Sequence, residues 1–156
     1  MITADQLLCH AIGDYLLQSH WMATKKTASF LTAFAHILTY GLPFLFLDTS
    51  AIAYFAIVGS HFVIDRWRLA RYLVWLKNHL APVDSVELKQ TPNTVEAQSP
   101  DGYVNQYVIV KWWRPWRECQ ATGYPPDVPP WLATWLLIIA DNILHIICNG
   151  LALKHL

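Results

Sequence analysis

Charge is scarce in this chain. Asp, Glu, Lys and Arg make up 14% of its 156 residues, against roughly 25% in a typical soluble domain. Neither sign is in excess, since eleven basic residues stand against eleven acidic ones. The charge balance therefore points to no nucleic-acid partner. Cysteine is scarce as well. Cys9, Cys119 and Cys148 form no CxxC pair and no even-numbered framework, which argues against a disulfide scaffold and against a cysteine zinc site. A cleavable signal peptide is not expected: the N-terminus lacks a basic region, and the first apolar stretch is interrupted by His10 and Asp14. Proline is nearly missing outside one region, with eight of the nine prolines between Pro82 and Pro130. Hydrophobic residues reach 54%. So many apolar residues with so little charge point to a membrane protein of one domain.

Four segments read as helices, at about 3–23, 28–47, 51–76 and 131–153. The second has no Asp, Glu, Lys or Arg, and the fourth has only Asp141. Both meet the roughly 20 apolar residues that a helix needs to cross the hydrocarbon. The third meets it if its arginines reach to the interface, and the first is the weakest case, read as short or tilted. The expected fold is all-α, a four-helix transmembrane bundle. A Pro-rich cytoplasmic insert, 77–130, separates the third and fourth helices. Within it "YVNQYVIVKWW" has strand character and a small hairpin is expected, while "WWRPWREC" (112–119) mixes Trp and Arg as interfacial segments do. With the N-terminus outside, Lys25, Lys26, Arg66, Arg68, Arg71, Lys77, Lys89, Lys111, Arg114 and Arg117 fall on the inner side and only Lys154 on the outer. The positive-inside rule thus favours an N-out, C-out protein.

Within these greasy helices lies a repeated pair. "HAIGD" gives His10 and Asp14, "HFVID" gives His61 and Asp65, and "DNILH" gives Asp141 and His145 in reverse order. Four residues is about one helical turn, so each pair shares a face. The reversal falls on the helix that runs the opposite way, which keeps both layers level, the histidines on the outer side and the aspartates one turn further in. His36 joins from the second helix. Burying three carboxylates in hydrocarbon is costly without compensation, and a divalent metal supplies it. Imidazole and carboxylate suit zinc first, then manganese or iron. His10, Asp14, His36, His61, Asp65, Asp141 and His145 exceed the ligand count of one zinc. Either two ions bind, or one binds and a carboxylate such as Asp65 is left as the catalytic base. The alternative is a hydrogen-bonded His–Asp network serving packing or proton relay. Gln18 shares the face of Asp14 and can orient a ligand or a substrate. Arg68 shares the face of His61 and Asp65, where it can grip a phosphate or anchor the helix end.

The stretches "LLCHAIGDYLLQSHWMATKK", "FAHILTYGL", "SHFVIDRW" and "ADNILH" resemble an uncharacterised family of small integral membrane proteins of bacteria and their phages, known only as a domain of unknown function. They are also distantly similar to the LexA-regulated, membrane-bound, metal-dependent hydrolases. The resemblance implies a metal-dependent hydrolase of the inner membrane of a bacterium or a phage-infected host, and the depth of the site suggests a lipid or lipid-linked phosphate as substrate. Membrane lipid is the expected partner, with a homo-oligomer or another membrane protein as further possibilities. The competing expectations are a transporter or channel for metal ions or protons using the same layer, and a non-catalytic phage or bacterial factor acting through the insert.

Overall fold

The computed structural model describes residues 2–80, 85–92, 103–110 and 115–156. Helix α1 (Ala4–Ala11) starts where the Thr3 hydroxyl accepts from the Gln6 amide, and it runs into a π-helical turn at Ile12–Leu16. Helix α2 (His20–Lys25) follows, capped by Ser19. Helix α3 (Phe30–Gly41) is capped by Ser29 and tightens into a 3-10 turn at Leu42–Phe46, where Pro43 removes a backbone donor. Helix α4 (Ala51–Trp67) is capped by Ser50, and α5 (Leu69–His79) begins immediately after Arg68. Strands β1 (Ser85–Pro92) and β2 (Tyr103–Val110) pair antiparallel, with Ser85 opposite Val110 and Pro92 opposite Tyr103. The last helix, α6 (Pro130–His155), has Pro at its first position, where a missing amide costs nothing.

Two expected helices are thus each broken in two. The first stops short because the Ser19 side chain caps a new helix and the π turn absorbs an extra residue before it. The third bends at Arg68, which holds the left-handed backbone conformation (φ 52, ψ 50) that ends α4 and opens α5. Among the described residues one helix, Pro130–His155, is long and apolar enough to cross a membrane, and Phe30–Phe46 is a shorter apolar helix. The expected hairpin in the insert is present. Trp112, Trp113 and Arg114 of the Trp/Arg segment lie outside the described residues.

Apolar packing divides into two clusters. One joins Cys9, Tyr40, Phe44, Ile57 and Ala152. The other joins Val74, Tyr124 and Ala133, flanked by Val128, Leu136, Leu137 and Ala140. The second closes on the insert through Gly123, whose φ of +86 suits glycine and whose missing Cβ leaves room for the Arg71 carbonyl. Along α6 the stretch from Asp141 to Asn149 lies between the two clusters, and a polar layer fills that gap. Gln6, His10, Asp14, Thr32, His36, His61, Asp65, His145 and Asn149 are all buried. Gln6 Nε2 donates to the Ile146 carbonyl at 2.7 Å, tying α1 to α6. Asn149 Nδ2 donates to the Tyr40 hydroxyl at 2.7 Å, tying α6 to α3. The Tyr40 ring stacks on His61 with centroids 3.5 Å apart.

Candidate metal centre

Four side chains from three parts of the chain converge in that layer: Asp14 from the π turn, His36 from α3, and His61 with Asp65 from α4. All are buried, and one ligand atom from each lies within 4.8 Å of the others. His36 Nε2 and His61 Nε2 are 2.9 Å apart. Asp65 Oδ2 is 3.1 Å from the first and 3.0 Å from the second. Asp14 Oδ1 is 3.3 Å from His36 Nε2 and 3.8 Å from His61 Nε2.

These distances bear on two kinds of order, a hydrogen-bonded network and a shared cation. A hydrogen points at one acceptor, and a good hydrogen bond is near-linear. Two imidazole nitrogens and a carboxylate oxygen in a triangle with edges of about 3 Å cannot all be joined by such bonds. Donor atoms bound at ~2.1 Å to a common ion lie about 3.0–3.4 Å apart, depending on coordination number. The observed edges therefore fit a cation at the centre of the group. Asp14 Oδ1 is also buried without a hydrogen-bond partner.

A second group shares a member with the first. Asp65, Asp141 and His145 again offer three ligand atoms within 4.8 Å of one another. His145 Nε2 is 3.6 Å from Asp65 Oδ1 and 3.5 Å from Asp141 Oδ2. Asp141 and His145 stand one turn apart on α6, as their spacing requires.

His10 is drawn elsewhere. Its Nδ1 lies 3.1 Å from the Tyr40 hydroxyl and its Nε2 2.9 Å from Asn142 Oδ1, so both ring nitrogens are engaged outside the two groups. The π turn between His10 and Asp14 explains the divergence. An i to i+5 turn, sealed by the Leu17 amide on the Ile12 carbonyl at 2.9 Å, places an extra residue in the turn and rotates the following side chains off the earlier face. Gly13 makes this possible by lying against α3: a Cβ there would sit 2.8 Å from both Tyr40 Cδ2 and the Tyr40 carbonyl oxygen. His10 remains part of the layer, with its ring centroid 5.6 Å from that of His145.

Lys26 is the residue that sequence reasoning missed. Its Nζ is 2.8 Å from Asp65 Oδ2, 3.6 Å from Asp14 Oδ1 and 3.4 Å from His36 Nε2. Burial opposes the charged form of this amine, but the Asp65 and Asp14 carboxylates outweigh it and hold its pKa above the ordinary lysine value. One ammonium against two carboxylates leaves negative charge uncompensated in the first group alone.

A cavity of about 480 Å³ opens over the carboxylate side of the layer. Asp14, Asp65 and Asp141 line it, and His10, His36, His61 and His145 do not. Lys26, Arg68 and Arg71 also line it, with Ala70, Leu137 and Ile138 as apolar wall. Gln18 borders the same cavity, and its Oε1 is buried without a hydrogen-bond partner. Arg66 is turned away, donating to the Thr27 carbonyl and covering the Phe30 ring.

A helical protein with a buried histidine–aspartate cluster able to hold a metal ion is the class defined by this fold and site. Residues 2–90 match a family described as a protein of unknown function, DUF3307, and the chain belongs to that family. The matched span contains Asp14, Lys26, His36, His61, Asp65 and Arg68 but ends before Asp141 and His145. No curated protein and no solved structure was found to match the chain.

Proposed function

We propose that the chain is a membrane-embedded, metal-dependent hydrolase acting on a lipid or lipid-linked phosphate. Its polarity supports the membrane setting. Gln6, His10, Asp14, His36, His61, Asp65, His145 and Asn149 are buried, while Phe46 is 91% exposed, Leu31 72% and Phe55 71%. Exposed apolar surface on this scale marks contact with lipid or with another apolar partner. A bundle of α1, α3, α4 and α6, with α3 and α4 as short or tilted spans, buries its costly polar groups against one another.

The observation that carries the function is the cavity. It joins a cluster of metal-ligand type to three cationic side chains and an apolar wall within one space. Asp14, His36, His61 and Asp65 would hold a divalent ion, zinc by ligand type, with manganese or iron as the other candidates. Such an ion supplies Lewis acidity toward a phosphoryl oxygen. Arg68 borders the cavity at the bend between α4 and α5, where its guanidinium can clasp phosphate oxygens. Ala70, Leu137 and Ile138 offer the apolar part of a lipid a surface. Hydrolysis of a phosphomonoester joins a water oxygen to phosphorus, breaks the bond to the lipid alcohol, and moves one water proton to the departing oxygen. Asp65, the first choice as base from sequence, is surrounded by His36, His61, His145 and Lys26, surroundings that suit a ligand better than a proton acceptor. The cavity is rimmed by Lys26, Arg68 and Arg71, so the positive-inside rule opens it toward the cytoplasm.

The test is phosphate release from phospholipid and polyprenyl phosphates by detergent-purified protein, stripped with chelator and reloaded with zinc or manganese. Metal-dependent turnover that Asp65→Asn abolishes is expected. No turnover of any lipid class, together with metal or proton flux in liposomes, overturns the hydrolase in favour of transport.

A further inference from the structure

We propose that the centre is dinuclear, with a second divalent cation held by Asp65, Asp141 and His145 and with Asp65 shared between the two ions. This rests on the metal-centre proposal above and specifies it. Asp65 divides its two oxygens. Oδ2 faces His36 and His61 at 3.1 and 3.0 Å, and Oδ1 faces His145 at 3.6 Å. A carboxylate presented this way is a bridge by geometry, with separate donor sets on its two sides. The second set comes from a different helix, α6, so the two sites are assembled across different helix contacts.

The donor atoms suit an ion. His145 is 0% exposed, and its Nε2 has no hydrogen-bond partner. Its contacts to Asp65 Oδ1 and Asp141 Oδ2, at 3.6 and 3.5 Å, are too long for good hydrogen bonds. They are close to the separation of about 3.4 Å between two donors bound at ~2.1 Å to a tetrahedral ion. Three protein donors leave a further position, and Asp141 borders the cavity from which a substrate would fill it.

Charge names the substrate class. Asp14, Asp65 and Asp141 carry three negative charges, and Lys26 carries one positive. With one divalent ion these four charges sum to zero, and the pull on a phosphate rests on Arg68 and Arg71 alone. With two the layer keeps two positive charges, the complement of a phosphate monoester dianion. Paired ions also suit in-line displacement at phosphorus, one for each of the attacking and leaving oxygens.

Counting ions on the full chain tests this. Detergent-purified protein is stripped with chelator, loaded with Mn²⁺ and analysed for manganese content and by electron paramagnetic resonance. Two ions per chain with a spin-coupled signal are expected. In Asp141→Asn the count should fall to one and the coupling should vanish, because Asp14, His36, His61 and Asp65 are untouched. One uncoupled ion in the unaltered protein overturns the dinuclear centre and leaves the single-metal hydrolase standing. No bound ion in the unaltered protein overturns the metal centre itself.

Discussion

Replacing Lys26 by methionine keeps the length of the side chain and removes its charge. In the structure that charge is shared between Asp65 Oδ2 at 2.8 Å and Asp14 Oδ1 at 3.6 Å. The Lys26 side chain is 14% exposed, and those of the two aspartates 5% and 8%. Breaking a buried ion pair from one side costs about 3–5 kcal/mol, because the partner charge is left buried and unpaired. Against a total stability of about 5–15 kcal/mol, the metal-free Lys26→Met protein should melt far below the unaltered one. Added metal should reverse the order of effect. The ammonium now rests on three of the atoms that would bind an ion, so loading the unaltered protein requires it to move off them. Lys26→Met has nothing to displace, and it should bind zinc or manganese at least tenfold more tightly, about 1.4 kcal/mol. Thermal unfolding followed by tryptophan fluorescence, in chelator and in a metal series, reads both effects. The expected pattern is a low melting point in chelator and a larger metal-induced rise than in the unaltered protein. Equal melting points in chelator, or weaker metal binding by Lys26→Met, would refute the view of Lys26 as a cation standing in the metal position.

Asp65→Asn should abolish hydrolysis and lose both ions rather than one, since each donor set includes Asp65; elemental analysis after reconstitution reads this directly. Gly13→Ala should lower stability by about 1–3 kcal/mol through overpacking against Tyr40, visible as a lower midpoint of thermal unfolding; an unchanged midpoint would mean that the π turn does not press on α3 there. Arg68→Gly should raise stability by about 1 kcal/mol by relieving the left-handed backbone, and it should raise KM for a phosphate substrate while leaving metal content unchanged.

Much of the site was legible because its ligands come in pairs at helical spacing on elements of fixed direction. His61 with Asp65 and Asp141 with His145 need only one turn of regular helix to act together, and α4 and α6 provide it. His10 with Asp14 follows the same pattern in sequence, yet the π turn separates them. That turn packs against α3 at Gly13, a tertiary contact that the local pattern does not contain. Lys26 stayed hidden for a related reason. In "TKKT" it is one of two adjacent lysines at a helix end, where a cation serves topology. Only the return of the chain at Thr27–Ser29 carries it over the carboxylates while Lys25 stays exposed. Tyr40, Asn142 and Asn149, which fix His10 and the top of the layer, carry no motif. The bend at Arg68 likewise goes against expectation, since a bulky residue there gives no sequence sign of left-handed backbone.

The reversal of polarity between inside and outside has a practical consequence for the proposed membrane protein. Its ligand-bearing side chains are held by each other, while Leu16, Leu31, Phe34, Phe46, Phe55 and Ile139 face outward. The outer coat and the inner machinery are therefore written in different letters of the sequence. The coat can be recoded with glutamate and lysine, residue by residue, without rewriting the centre. A chain so recoded would carry the same metal chemistry into water, free of detergent, where the centre is open to solution spectroscopy.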